Sequence, residues 1–283
     1  MILIDTRKIL IITTSDDNAN GFVMMKKTPV IIAHRGAMTE APENTRPAFD
    51  KALAHGVDGI EFDVQTSRDG FPVIYHDATL SRINGGRKSI SDFTFQELAG
   101  LDWGGWFSEA FINEKILTLE EVLTTYGPGT RLMIEIKPSP RKSAEALYQK
   151  LAVRVAASVR ELIPRDRISE MFILSFDPAI IQTAYSRQPD LNYMLNIDSA
   201  SMRPDVLKID LKILCGVCIA RRKLSRRFVD DAHHADKMVM TYSCNSAKTL
   251  DHALDLGVDG IMTDHPGASI WRKRGLLPRA IHE

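Results

Sequence analysis

The sequence predicts an α/β protein, a (β/α)8 TIM barrel with a small insertion after the second strand. Three observations carry this. Short β-branched runs alternate with longer segments rich in Ala, Leu and charge, the pattern of parallel strands joined by helices. Eight such units fit into about 250 residues, the size at which a closed barrel is favoured over an open sheet. One unit also echoes another. Residues 52–63 read Ala-Leu-Ala-His-Gly-Val-Asp-Gly-Ile-Glu-Phe-Asp, and residues 253–264 read Ala-Leu-Asp-Leu-Gly-Val-Asp-Gly-Ile-Met-Thr-Asp. Each places a glycine in a left-handed helix cap ahead of a buried strand.

The first strand fits residues 30–34. A helix fits residues 46–55, with Pro47 suited to its first turn and Gly56 just past its end. The second strand fits residues 59–65. The extended run at 71–76 follows only a short Arg68-Asp69-Gly70 turn, so it reads as a hairpin rather than a crossover. Later strands fit residues 131–137, 171–176, 192–197, 215–220, 237–243 and 258–264. Helical text separates them at 143–163, 178–187, 225–235 and 246–256.

The insertion covers about residues 78–118. It holds two of the chain's three tryptophans, Trp103 and Trp106, with Phe93, Phe95, Phe107 and Phe111. A connection this long needs structure of its own, so it reads as a small aromatic-rich subdomain over one end of the barrel. Residues 29–283 are expected to form the single catalytic domain. Residues 1–28 read as a poorly patterned extension, disordered or non-native, with Met24 and Met25 as alternative natural starts. The apolar run at residues 9–12 is shorter than the roughly 7–15 residues of a secretory h-region, and Asp16, Asp17 and Asn18 follow it.

Composition narrows the class of function. The chain has 283 residues, 44% hydrophobic and 25% charged, which excludes a disordered or collagen-like chain. Lys+Arg and Asp+Glu are both 36, so no bulk charge favours nucleic acid. No apolar run approaches the ~20 residues of a membrane helix, so no stable membrane insertion is expected. The cysteines Cys215, Cys218 and Cys244 give no disulfide framework and fit a reducing compartment, so the cytoplasm is the expected location. Arg221, Arg222, Lys223, Arg226 and Arg227 form the densest positive run and read as a balancing surface patch.

In a barrel of this kind reactive groups gather where strands end and loops begin. The first strand ends in His34-Arg35-Gly36. The second carries Glu61 and Asp63, the hairpin run ends in His76-Asp77, and the third barrel strand carries Glu135 and Lys137. Strand periodicity is two, so Glu61 and Asp63 share one face, as do Glu135 and Lys137. If that face is the interior, three carboxylates converge at one rim, and burying them without partners is costly. A hard divalent cation, Mg²⁺ or Ca²⁺ rather than Zn²⁺, resolves the cost. An ion-pair network with Lys137 and Arg35 resolves it too. An imidazole titrates near neutral pH, so His34 and His76 suit a proton donor and acceptor. Arg35 offers a planar fork to phosphate oxygens and Lys137 a compact positive point. The set describes a site for a phosphoryl group beside a metal.

His34-Arg35-Gly36, Pro42-Glu43-Asn44-Thr45, Glu61-Phe62-Asp63, His76-Asp77 and Glu135-Ile136-Lys137, in this order, resemble the glycerophosphodiester phosphodiesterase family. The resemblance continues through 174–177, 242–245 and 257–264, and spans about residues 30–270. It implies the TIM barrel with its insertion, and hydrolysis of glycerophosphodiesters to an alcohol and sn-glycerol 3-phosphate. It also implies that Glu61, Asp63 and Glu135 hold one divalent cation, His34 and His76 act as general acid and base, and Arg35 and Lys137 bind phosphate. The attacking oxygen would come from water or from the glycerol 2-hydroxyl. Tyr242-Ser243-Cys244-Asn245 stands where members often have Trp-Thr-Val-Asn. Tyr242, Asn245, Phe176 and Trp106 are candidate pocket-lining residues. Three rivals stand beside this reading. One is a lysophospholipase D-like or sphingolipid-cleaving phosphodiesterase on the same barrel. Another is an aldolase-like enzyme using Lys137 as a Schiff-base amine, and the last is a barrel kept as a binding scaffold.

Overall fold

Eight parallel strands close into a barrel in the computed structural model, which describes residues 9–10, 26–84 and 86–278. The strands are β1 (Val30–His34), β2 (Gly59–Thr66), β4 (Arg131–Ile136), β5 (Met171–Ser175), β6 (Asn192–Ile197), β7 (Gly216–Ala220), β8 (Met238–Tyr242) and β9 (Gly260–Thr263). Closure comes from β1, which pairs in parallel with β9 on one side and β2 on the other. The ninth strand, β3 (Pro72–Ile74), runs antiparallel to the end of β2, with Val64 opposite Ile74. This is the hairpin expected after the second strand. Most of residues 1–28 lies outside the described residues; within it, Ile9–Leu10 pairs antiparallel with Lys26–Lys27.

Alternation along each strand divides the core in two. Ile31, Ile60, Phe62, Ile134, Ile173 and Val217 belong to the large cluster beneath the surrounding helices. Ile32, Met133, Phe172, Met194, Cys218, Met240 and Met262 fill the barrel interior. Side-chain period two therefore puts Glu61 and Asp63 of β2, and Glu135 of β4, on the interior face.

The helices start where local chemistry tells them to. In α1 (Arg46–Ala54), Pro47 occupies the first turn. In α2 (Leu119–Tyr126), Thr118 accepts from the Glu121 amide while Glu121 accepts from the Thr118 amide at 2.8 Å, a capping box of about 1 kcal/mol. The echoed glycines Gly56 and Gly257 both take positive φ, at 80° and 77°. The remaining long helices are α3 (Glu145–Leu162), α4 (Pro178–Tyr185), α5 (Arg226–His234) and α6 (Ala247–Leu256).

Where strand ends differ from expectation, they do so by one or two residues. The run expected at 71–76 is a strand only over Pro72–Ile74, and those expected to reach 137, 176 and 264 stop at Ile136, Ser175 and Thr263. The residues left over are His76, Lys137, Phe176 and Asp264. They lie just past the last paired residue of each strand, at the rim, and the Lys137 amide still donates to the Val64 carbonyl at 3.1 Å. The insertion has its own small core of Tyr75, Leu80, Ile90, Leu98, Trp103 and Ile116. Trp103 packs edge-on to Tyr75 at 5.2 Å and donates its indole N–H to the Leu98 carbonyl.

Candidate active site

At the carboxyl ends of the strands lies a cavity of about 190 Å³. One wall is polar, made by His34, Arg35, Glu61, His76, Glu135 and Lys137. The other is largely apolar, made by Phe176, Asn196, Cys218, Tyr242 and Met262. Phe176 and Tyr242 meet edge to face at 6.4 Å.

The turn after β1 builds the polar wall. Arg35 and Asn44 both adopt left-handed backbone, with φ 55° and 60°. Asparagine tolerates this region, whereas arginine there costs about 1–3 kcal/mol. That conformation aims the Arg35 amide at Glu61, donating to Oε2 at 3.1 Å. Gly36, at φ 81°, completes the turn; a Cβ there would stand 2.7 Å from the Ala48 backbone, so the turn is pressed against α1.

Oxygen atoms of Glu61, Asp63 and Glu135 come within 4.8 Å of one another, and all three side chains are buried. Asp63 is well supplied with donors. Lys137 Nζ lies 3.2 Å from Oδ1, Arg35 Nε 3.3 Å from Oδ2, and Asn44 donates to Oδ2 at 2.9 Å. Burial pushes its carboxyl up, but Lys137 and then Arg35 outweigh burial and hold it well below the usual range. Glu135 accepts from Lys137 at 2.7 Å and from Asn196 at 2.8 Å. Burial, then the Asp63 charge, still raises it. Glu61 fares worst. Burial, then Asp63 and Glu135, push it well up, and its Oε1 has no hydrogen-bond partner among the described residues. Asn196 Oδ1 is also buried and unpartnered.

The two histidines are held alike. His34 Nδ1 lies 2.6 Å from Asp264 Oδ1, and His76 Nδ1 lies 2.9 Å from Asp77 Oδ1. A carboxylate only accepts, so each Nδ1 carries the proton and each Nε2 is left for chemistry. His34 Nε2 is 3.9 Å from Glu61 Oε2. Asp264 accepts from Ser243 Oγ at 3.0 Å and from Asn245 Nδ2 at 2.5 Å. Burial raises its carboxyl, but the bonds from His34, Asn245 and Ser243 bring it down to about 2. Asp77 is clamped by Arg82, whose Nε donates at 2.9 Å, and Arg82 also reaches Glu43 at 2.9 Å.

The structure thus brings together seven expected residues: His34, His76, Glu61, Asp63, Glu135, Arg35 and Lys137. Phe176 and Tyr242 line the same cavity. Asn245 does not; it is exposed and fastens Asp264. Trp106 also lies apart, against a smaller cavity beside Glu43 and Arg82. Its N–H is taken by the Trp103 carbonyl and its face by the Arg82 guanidinium at 4.7 Å, which ties the ring into the insertion. Sequence reasoning assigned no role to Asp264, Asp77, Asn44, Glu43, Arg82 or Asn196. A signal existed for Asn196: it is a polar residue at an inward position near the carboxyl end of a strand.

Carboxylates, imidazoles and phosphate-type cations at the carboxyl rim of a (β/α)8 barrel define a hydrolase-type site. The comparisons make the class specific. Residues 34–268 match the glycerophosphoryl diester phosphodiesterase family. The chain is 30% identical over 238 residues to a glycerophosphodiester phosphodiesterase of Caldanaerobacter subterraneus subsp. tengcongensis, covering 84% of this chain and 94% of that one. It is 30% identical over 256 residues to one of Bacillus altitudinis, covering 85% and 96%. A phosphodiesterase of Oleispira antarctica, solved in complex with the product sn-glycerol-3-phosphate, superposes with a TM-score of 0.72 at 28% identity, covering 84% and 94%. The chain belongs to the glycerophosphoryl diester phosphodiesterase family and is a phosphoric diester hydrolase.

Proposed function

We propose that the enzyme hydrolyses glycerophosphodiesters to an alcohol and sn-glycerol 3-phosphate, with Glu61, Asp63 and Glu135 holding one Mg²⁺ or Ca²⁺. The observation that carries the metal is Glu61 Oε1, a buried carboxylate oxygen without a partner in the middle of an acidic cluster. Ion pairs with Lys137 and Arg35 account for Asp63 and Glu135. They leave Glu61 unexplained, so the ion-pair network alone is insufficient. An all-oxygen donor set suits a hard cation. When bound, the cation would draw charge off the phosphoryl oxygens and acidify a coordinated hydroxyl.

The chain's own residues supply the rest. Arg35 and Lys137 are the cations placed to hold the diester phosphate and to meet the charge that grows on it. One imidazole takes the proton of the attacking oxygen through its free Nε2. The other, protonated on both nitrogens as an imidazolium, gives its Nε2 proton to the departing alcohol oxygen as its bond to phosphorus breaks. Asp264 and Asp77 orient the rings through Nδ1 and favour the imidazolium form. If the glycerol 2-hydroxyl attacks first, water completes the hydrolysis in a second step with the same products. The product bound to the Oleispira antarctica relative supports this substrate class. Among the described residues no helix is long and apolar enough to cross a membrane, in keeping with a small-molecule substrate.

The test is a glycerophosphocholine assay coupled to detection of glycerol 3-phosphate, across a panel of divalent ions. EDTA should abolish activity, and Mg²⁺ or Ca²⁺ should restore it. Full turnover in chelator would defeat the metal assignment, and preferential cleavage of a long-chain lysolipid would shift the substrate class to lipids.

A further inference from the structure

The first three residues of the densest positive run, Arg221, Arg222 and Lys223, follow a strand that ends at the rim of the cavity. Strand β7 ends at Ala220, which pairs directly with Tyr242 of the cavity wall, and the turn Arg221–Lys223 begins at the next residue. It therefore stands over the carboxyl end of the barrel, beside the aromatic wall. On the other flank Ile219 pairs with Ile197, so Asp198 opens the neighbouring loop at the same level.

Arg221, Arg222 and Lys223 are exposed, and none of their side chains enters a hydrogen bond or ion pair with any described residue. The rim's other arginines behave differently. Arg35 and Arg82 are paired with Glu43, and Arg141 with Asp92. Arg226 is committed to the Leu256 carbonyl at the end of α6, and Arg227 is 3.8 Å from Asp231. The charge of Arg222 is nonetheless felt at the Tyr242 hydroxyl, where burial is the larger influence and Arg222 acts against it. That of Arg221 is felt at Cys244.

Charge inside the site explains why loose cations outside it would matter. Inside the site every cation is already committed: Arg35 to Glu43 and Asp63, Lys137 to Asp63 and Glu135, and Arg82 to Asp77 and Glu43. A second anionic group on the substrate finds nothing further in the interior.

We propose that Arg221, Arg222 and Lys223 form a second anion subsite at the mouth of the cavity, which selects glycerophosphodiesters whose organic group carries a further phosphate or carboxylate. This rests on the glycerophosphodiesterase reading above and names the substrates it favours. The contacts are solvent-exposed and screened by salt, so the subsite acts mainly on binding and capture.

The test compares glycerophosphoinositol with glycerophosphoinositol 4-phosphate, substrates that differ only by one phosphate, with glycerophosphocholine as control. The wild type should turn over the phosphorylated substrate with kcat/KM about three- to tenfold higher, on the scale of a few exposed charge contacts. Added salt should erode the preference. In the triple variant Arg221→Gln, Arg222→Gln, Lys223→Gln the preference should vanish through KM, with glycerophosphocholine turnover unchanged, which also reports a folded enzyme. Equal kcat/KM for the pair in the wild type, or a preference that survives in the variant, overturns the proposal. Cosedimentation with phosphatidylglycerol vesicles that the variant loses, without any preference between the soluble pair, overturns it in favour of a membrane-facing rim. Failure of the wild type to cleave any of the three substrates sinks the glycerophosphodiesterase reading instead.

Discussion

The two ends of the barrel interior use the same strands and the same inward positions, yet hold opposite contents. At the amino end, Val30, Met133, Phe172, Met194 and Met240 surround a cavity of about 120 Å³. Two residues further along, Met133 gives way to Glu135, Ile32 to His34, and Met194 to Asn196. The lower layer packs mostly apolar side chains beneath the upper one. Burial is the first cause that raises Glu61 and Glu135, and a buried setting strengthens the charge interactions among them. One end is optimised for packing, while the other holds charge at a cost to stability.

Substitutions should divide the same way. The largest effect belongs to the upper layer: His34→Ala and His76→Ala should each lower kcat about 10²–10⁴-fold while the protein still binds product. Near-normal turnover in steady-state assays of either variant removes that ring from the mechanism. In the lower layer, Met240→Ala truncates a side chain that is 4% exposed and should cost about 2–5 kcal/mol in urea unfolding, with kcat little changed. A kcat loss as deep as that of the histidine variants would erase the distinction between the ends. The smallest effect concerns pH. Glu61 and Glu135 have folded pKa values above the unfolded ones, so the folded state binds their protons more tightly. Their contribution to stability is fully present below the ordinary value of 4.5 and is lost as pH rises through the raised folded values. Metal-free protein should therefore melt at a higher temperature at about pH 5.5 than at about pH 8. Glu61→Gln should flatten that rise and stabilise the metal-free protein at neutral pH by about 0.5–2 kcal/mol. A melting temperature insensitive to pH in this window contradicts the buried-acid account.

Local pattern carried most of the fold. Alternation of β-branched and helical text placed all eight barrel strands and the hairpin, and period two aligned Glu61 with Asp63 and Glu135 with Lys137. The strand-end errors had one cause. Residues such as His76 and Lys137 continue the chemical pattern of a strand but lie just past its last paired residue, at the end that carries the site. Pairing across the chain was harder to read. Asp264 meets His34 from 230 residues away, and Asn196 meets Glu135 across the interior from 61 away; no local period encodes either contact. Trp106 was misplaced because its position depends on Arg82, whose own orientation is set by Glu43 and Asp77.

The bond between His34 and Asp264 has a consequence for how activity arises. The imidazole comes from the first stave of the barrel and its anchor from the residue just after the last. A chain that stopped before Gly260 would lack β9, the strand that closes against β1, and the acid that orients the ring. Such a chain can collect most of its site and still remain idle, so competence arrives together with completion of the cylinder.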